Sequence, residues 1–386
     1  MLTLLKNAHV YAPRPLGVCD ILVAGTQIVA LAPDLETPPA SWGGEVIDLH
    51  GQRVVPGLVD VHAHLSGGGG EGGAHTRVPP VHLSSFTRAG VTTAIGLLGT
   101  DATTRSLAEL LAAARGLAHH GLTTFCYTGS YEVPPPTLTG SVRGDIVHID
   151  RVIAVGELAI SDHRSSQPSF EELSRIAADA HVAGMMTGKA GLVHLHLGDG
   201  PRGLELVRRV LQETELPSRV LHPTHLNRNH DLWAEALELA GDIDLWADVT
   251  AFPPDDHGPS AAQAIGQWLA EGRNPARITA SSDGGGCLPE FDEDGKLRAM
   301  EVGSPDGLLQ LVRDLCNDGT PLETAIATIT SNPATLFRLH GKGRLEVGAD
   351  ADLLVLDDNL HTQDLLAGGQ WMVRGGSPVL FGLFEG

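Results

Sequence analysis

At 386 residues the chain exceeds what one hydrophobic core usually supports, so a large domain with a smaller companion is expected. Its 26 lysines and arginines face 47 aspartates and glutamates, a formal net charge of −21 that argues against nucleic acid and anionic membranes as partners. Four widely spaced cysteines (Cys19, Cys126, Cys287, Cys316) form no CxxC pair, which disfavours a disulfide framework and suits a reducing compartment. The first residues, Met1 to Asn7, lack a basic region followed by a long apolar run. No signal peptide or transmembrane segment is expected, and the chain reads as cytoplasmic.

Short strands open the chain. Leu2 to Ala12, Val18 to Ala24, Gln27 to Leu31 and Glu45 to Leu49 carry apolar and β-branched residues between Gly, Pro and Asp turns. From Val54 the run Val-Val-Pro-Gly-Leu-Val-Asp-Val-His-Ala-His-Leu reads as a buried strand, with Pro56 and Gly57 as its sharp start. His62 and His64 lie two apart in it and so share one face, side by side, as a divalent metal requires.

The middle then alternates. Strands are expected at Thr92 to Leu98, Thr123 to Thr128, Val152 to Ile160, Leu192 to Leu197, Val220 to Thr224, Asp244 to Thr250 and Ile278 to Ser282. Between and after them, helical spacing runs over Thr104 to His119, Ser169 to Met186, Gly203 to Thr214, Leu232 to Ala240, Ser260 to Glu271 and Pro305 to Asn317. Ser169 is placed to cap the second of these. Repeated βα units predict an α/β fold, a (β/α)8 TIM barrel over residues 56–344. A doubly wound sheet is the alternative, but no glycine-rich dinucleotide fingerprint supports it. The tail returns to strands at Leu353 to Leu356 and Gln370 to Arg374. Residues 1–55 and 345–386 are therefore expected to form a small β-sandwich domain from both termini.

Chemistry in such a barrel sits at the carboxyl ends of the strands. His62 and His64, Glu157, His196, His225 and Asp283 all fall at or near those ends. Four histidines and two carboxylates suffice for two divalent ions about 3.5–4 Å apart, which generate a nucleophile at neutral pH and polarise a carbonyl. Imidazole with carboxylate favours zinc, while manganese, cobalt or nickel also suit the donors. Two rival histidines stay open at this stage. His194 shares a strand face with His196, and His222 competes with His225.

Beyond these residues, longer phrases carry a resemblance. They include Gly67-Gly-Gly-Gly-Glu71, Gly96-Leu-Leu-Gly-Thr100-Asp101, Thr128-Gly-Ser-Tyr131, Thr139-Gly-Ser-Val142 and Ile160-Ser-Asp-His-Arg164. Gly198-Asp199, Pro223-Thr-His-Leu-Asn-Arg-Asn229, Ser281-Ser-Asp-Gly284 and the tail Gly348-Ala-Asp-Ala-Asp-Leu-Leu-Val complete the set. Together they resemble the amidohydrolase superfamily and, within it, the bacterial isoaspartyl (β-aspartyl) dipeptidase family. The resemblance implies a metal-dependent dipeptidase that splits β-aspartyl dipeptides through a metal-bridging hydroxide, with a small dipeptide as partner and a homo-oligomeric assembly. It implies that His62 and His64 hold one ion, His196 and His225 the other, and that Asp283 is both ligand and proton carrier. It makes Tyr131 the donor to the carbonyl oxygen, Glu71 the acid that takes the substrate's α-amine, Arg164 and Arg228 the carboxylate clamps, and Thr100 a further contact.

Two positions depart from that family. Counting back from Arg164, Glu157 stands where a carbamylated lysine is usual. A carbamate is a carboxylate on a long stem, so glutamate is a chemically sensible replacement if the backbone comes closer, which Gly156 would permit. The bland alternative is a charged residue that serves no metal. Cys287 stands where a serine is usual near the substrate, and its thiol is a weaker donor. Two other functions compete with the dipeptidase. One is a hydrolase of cyclic amides or acyl-amino acids, similar to dihydroorotase or hydantoinase; the other is a catalytically weak scaffold.

Overall fold

The structure, a computed structural model, describes residues 2–253, 257–291 and 297–385. The chain begins with β1 (Leu2–Tyr11), β2 (Pro15–Ala24), β3 (Gln27–Ala32), β4 (Glu45–Asp48) and β5 (Arg53–Pro56). Next come eight strands: β6 (Leu58–Ala63), β7 (Val91–Gly96), β8 (Thr123–Thr128), β9 (Val152–Ile160), β10 (Val193–Leu197), β11 (Leu221–Thr224), β12 (Ala247–Thr250) and β13 (Ile278–Ser281). A hairpin, β14 (Cys287–Phe291) and β15 (Leu297–Val302), follows. The tail supplies β16 (Leu353–Leu356), β17 (Thr362–Ala367), β18 (Gln370–Arg374) and β19 (Ser377–Pro378).

Strands β6 to β11 pair in parallel and in chain order, and β12 pairs with β13 in the same sense. A parallel bridge between Ala63 and Gly284 brings the end of β13 back to β6. On the other side, Leu226 N–H donates to the Asp248 carbonyl at 3.3 Å. A helix follows each strand: α1 (Leu83–Arg88), α2 (Leu107–His119), α3 (Val142–His148), α4 (Phe170–Thr187), α5 (Glu205–Glu213), α6 (His230–Asp242), α7 (Ala261–Ala270) and α8 (Gly307–Asn317). This is the TIM-barrel type of arrangement. The barrel strands, β8 in part excepted, are buried along their whole length, because helices cover them outside and side chains fill them inside.

Helix α4 shows how locally the sequence dictates these elements. Leu173, Ile176, Ala177, Ala180, Ala183 and Gly184 recur at helical spacing and are buried. The Ser169 hydroxyl accepts from the Glu172 N–H while the Glu172 carboxylate accepts from the Ser169 N–H, a capping box. Gly188, in the left-handed region at φ 75°, ends the helix. Helices α1 and α3, at six and seven residues, are too short to show a clear period and were not expected.

The expected strand through Val54 to His64 is two strands in two sheets. β5 pairs with β1 and β16, whereas β6 pairs with β7. The break falls at Gly57, whose N–H donates to the Asp352 carbonyl. A β-carbon there would lie 2.3 Å from the Thr92 hydroxyl oxygen, so only glycine passes. Strands from both ends of the chain meet, in one sheet. It is a nine-stranded mixed sheet, ordered β19-β18-β17-β16-β5-β1-β2-β3, with β4 on β1. Among the described residues no helix is long and apolar enough to cross a membrane.

Candidate metal centre and active-site cleft

Six ionisable side chains converge at the carboxyl ends of the barrel strands. His62 lies in β6 and His64 just beyond it, Glu157 in β9 and His196 in β10, while His225 and Asp283 follow β11 and β13. All six are buried. His225 and Asp283 turn inward only because their backbones take φ of 60° and 53°. For residues with a β-carbon that conformation is strained, and such strain collects at functional sites. Glu157 also depends on an irregularity. Val193 pairs with Val155 but Leu195 pairs with Leu158, so Gly156 and Glu157 together oppose His194. This bulge re-aims Glu157 into the barrel. A β-carbon on Gly156 would sit 2.8 Å from the His194 Cβ, which is why the strands approach closely enough for a glutamate to reach.

The two oxygens of Glu157 face different histidines. Oε1 lies 3.6 Å from Nε2 of both His62 and His64. Oε2 lies 3.2 Å from His196 Nδ1 and 3.6 Å from His225 Nε2. Asp283 Oδ1 closes the first group, 3.4 Å from His62 Nε2 and 3.1 Å from His64 Nε2. His62 Nε2 and Asp283 Oδ1 are buried with no hydrogen-bond partner among the described residues. Buried polar atoms are rarely left so. Their spacing around a common point, and the mixed imidazole and carboxylate donors, fit divalent ions of the zinc type.

Charge within the cluster is mutually held. Burial opposes ionisation of Glu157, but His62, His196 and His225 outweigh it and keep the carboxyl well below its usual range. Burial likewise opposes ionised Asp283, and His62 and His64 bring it below the usual range. For His62 burial opposes protonation, yet Glu157 and Asp283 raise the ring to about 9. For His225 burial wins and the ring falls to about 3.

The cleft above, roughly 1100 Å³, gathers the other expected residues. The Tyr131 hydroxyl lies 2.7 Å from His196 Nδ1. Burial and Glu157 push its phenol well above the ordinary value, so it remains an O–H donor. Arg164 lies 5.5 Å from the Tyr131 ring centroid and makes a two-pronged pair with Asp162 at 3.0 and 2.7 Å. Glu71 accepts from the Thr100 hydroxyl at 2.9 Å and lies 3.7 Å from Arg164. Arg228 lies 3.7 Å from Asp199, with its Nε buried and unpaired. Cys287 lines the same cleft, and burial followed by the negative field of Glu71 and Asp283 raises its thiol to about 12. It is a neutral thiol, not a nucleophile.

Among the described residues the groups that could hold a metal are His62 with His64 and Asp283, and His62 with Glu157 and His225; the expected ligand His196 lies outside both, as do His194 and His222. His194 Nε2 meets His62 Nδ1 at 2.9 Å, and His194 Nδ1 meets His222 Nδ1 at 3.0 Å. Burial pulls His194 well below the ordinary imidazole range and His222 to about 4. Several supporting groups were not anticipated. Asp162 lies 2.9 Å from His196 Nε2, opposite the Nδ1 that Tyr131 and Glu157 approach, and Thr250 Oγ1 lies 2.7 Å from His225 Nδ1, which leaves His225 Nε2 turned toward Glu157. Asp60 accepts from Ser282 N–H and hydroxyl, tying the ends of β6 and β13 together, and burial raises its carboxyl to about 6. Arg105 donates to the Ser66, Gly68 and Val78 carbonyls beneath the glycine loop. The only local hint of Asp60 and Asp162 was their place beside histidines, Asp-Val-His and Ser-Asp-His.

Comparison with known proteins adds an independent line. Residues 53–383 match the amidohydrolase family. A solved β-aspartyl dipeptidase from Fervidobacterium islandicum AW-1, in complex with β-Asp-Leu dipeptide, is 40% identical, with 98% of each chain covered and a TM-score of 0.92. A dihydroorotase from Anoxybacillus flavithermus is 25% identical over 92% of this chain and 88% of its own. An L-hydantoinase from Paenarthrobacter aurescens is 25% identical over 93% of this chain and 86% of its own.

Proposed function

Because the chain belongs to the amidohydrolase family, we propose that it is a metal-dependent dipeptidase acting on β-aspartyl dipeptides. The observation that carries this reading is the set of charged side chains in the cleft: the Glu71 carboxylate and the Arg164 and Arg228 guanidinium groups line it beside the histidine and carboxylate cluster, with Asp162 and Asp199 next to the two arginines. A β-aspartyl dipeptide presents the complement, one ammonium and two carboxylates about a scissile amide. The similar Fervidobacterium enzyme holding β-Asp-Leu supports the same substrate class.

His62, His64 and Asp283 would hold one zinc ion and His196 and His225 a second, with Glu157 between them; bound there, the ions would activate water and polarise the carbonyl. Tyr131 donates its O–H to the carbonyl oxygen as negative charge develops on it. Asp283, ionised at neutral pH, takes up the water's proton and delivers it to the leaving amine. Glu71 accepts from the α-ammonium, with Thr100 orienting it, and Arg164 and Arg228 hold the carboxylates bidentately. Cys287 borders the substrate as a weak donor. We further propose a cytoplasmic homo-oligomer. The division into a barrel (56–344) and a small β-sandwich domain (1–55 with 345–386) is supported by the separate apolar cluster of the terminal strands.

The test is hydrolysis of β-aspartyl-leucine by zinc-loaded protein, with α-aspartyl-leucine, dihydroorotate and hydantoin alongside. Selective cleavage of the β isomer is expected. The dihydroorotase and hydantoinase relatives favour a second reading, hydrolysis of cyclic amides. Turnover of dihydroorotate or hydantoin without the β isomer would establish that reading instead. No turnover of any substrate by zinc-loaded protein would point to the catalytically weak scaffold.

A further inference from the structure

Beneath the metal cluster runs a line of buried polar groups that the reaction does not use. It starts at His62 Nδ1 and passes through His194 and His222. His222 Nε2 then meets the Thr279 hydroxyl at 2.9 Å, and that hydroxyl donates to Asp248 Oδ1 at 2.5 Å. Asp248 Oδ2 accepts from the hydroxyls of Thr224 and Ser281 at 2.6 and 2.7 Å. Every residue on this line is fully buried. Tyr127 stacks on His194, with ring centroids 5.1 Å apart and planes 12° from parallel, and its hydroxyl donates to the Val61 carbonyl. The rings are therefore held in place as well as bonded.

The line has one consistent polarity. The Thr279 hydroxyl donates its one proton to Asp248 Oδ1, while Asp248 Oδ2 accepts from two further hydroxyls. Thr279 then accepts from His222 Nε2–H, leaving His222 Nδ1 as an acceptor. His194 must donate to it from Nδ1–H, which leaves His194 Nε2 to accept from His62 Nδ1–H. With its proton kept on Nδ1, His62 has only Nε2 with which to offer a lone pair to a metal, and Nε2 is the atom that faces Glu157 and Asp283. Hydrogen bonds to the far nitrogen of a ligand histidine set its tautomer and ring orientation, and such partners affect metal affinity strongly.

We propose that His194, His222, Thr279 and Asp248 form a buried relay that positions His62, holding its proton on Nδ1 and so presenting Nε2 to the metal. The relay rests on the reading of His62 as a metal ligand. These are positioning residues: they touch neither substrate nor reacting atoms. The arrangement accounts for two strand histidines, His194 and His222, that the catalytic reading leaves without a task. It also explains why an acid, Asp248, is buried deep in the barrel with no basic side chain as its direct hydrogen-bond partner: it is the acceptor that closes the chain of donors.

The test measures zinc affinity of the full-length protein by competition with a chromophoric chelator, for wild type, His194→Leu, His194→Gln and His222→Leu. Unfolding midpoints of the metal-free proteins are taken in parallel. His194→Leu is expected to weaken zinc binding by about 10–100-fold. His194→Gln, which keeps one acceptor and one donor, should recover most of that loss. His222→Leu should give a smaller loss in the same direction. A packing role alone would lower the midpoint and leave zinc affinity unmoved. Wild-type protein that binds zinc while His194→Leu binds it equally tightly overturns the relay and spares the metal centre, as does a glutamine no better than leucine. Should His194→Leu fail to fold, unchanged zinc affinity in His222→Leu overturns the relay. Wild type that binds no zinc at all overturns the metal centre, and the relay with it.

Discussion

The barrel mouth and the seam beneath the terminal sheet both bury charge, in opposite ways. At the mouth, four imidazoles and two carboxylates crowd together, yet His62 Nε2 and Asp283 Oδ1 find no hydrogen-bond partner among the described residues. At the seam, Lys342 donates to Asp352 and to the Thr123 hydroxyl, both at 2.7 Å, and lies 2.9 Å from Asp350. The second oxygen of Asp352 accepts from the Gly368 N–H at 2.7 Å. A satisfied network stiffens a fold, whereas buried open groups that converge with other metal-type donors suit something the protein binds. The contrast separates catalytic charge from structural charge on physical grounds.

The largest expected effect falls on the mouth. Asp283→Asn should lower kcat/KM for β-aspartyl-leucine by about 10²–10⁴-fold, and Tyr131→Phe by about 10²–10³-fold, as read by steady-state kinetics. If both leave turnover unchanged, the open groups serve no reaction and the comparison breaks. At the seam the effect should be on stability alone. Lys342→Met strands buried Asp352 and should cost about 3 kcal/mol in urea unfolding, with kcat/KM unchanged. Burial alone would lower the Lys342 pKa, but Asp352 and Asp350 raise it above its ordinary value. Its contribution is therefore fully present below the unfolded-chain value of about 10.4 and is lost as pH rises through the higher folded value. The difference between wild type and variant should persist at neutral pH and shrink only in strong alkali. A seam variant that loses activity as the mouth variants do would erase the distinction. The smallest effect is on an exposed cap. Ser169→Ala should cost about 1 kcal/mol and leave catalysis alone, which calibrates how little a purely local bond matters.

Much of this protein follows from local pattern. Strands β8, β9, β16 and β18 match their expected bounds because continuous apolar runs between turn residues leave no alternative. Ser169 is a cap because a serine three residues before a glutamate, ahead of an apolar period, has one good use. The donor types, histidines and carboxylates at strand ends, likewise stand in the sequence. Alternation along a strand reveals which face a side chain takes, but not its height in the barrel. His194 and His196 share a face, and only the closed barrel puts one beside Glu157 and the other beneath His62. His225, rather than His222, enters a group that could hold a metal, through a left-handed backbone residue that no periodicity announces. Glu157 reaches the histidines through a bulge opposite His194, and Asp162 and Asp248 acquire partners 34 and 31 residues away. The split of Val54 to His64 between two sheets was decided by Asp352, far along the chain. Residue type and spacing thus determined what chemistry the chain carries. Tertiary structure decided which atoms meet, because contacts between distant strands depend on register, bulges and closure that no single segment contains.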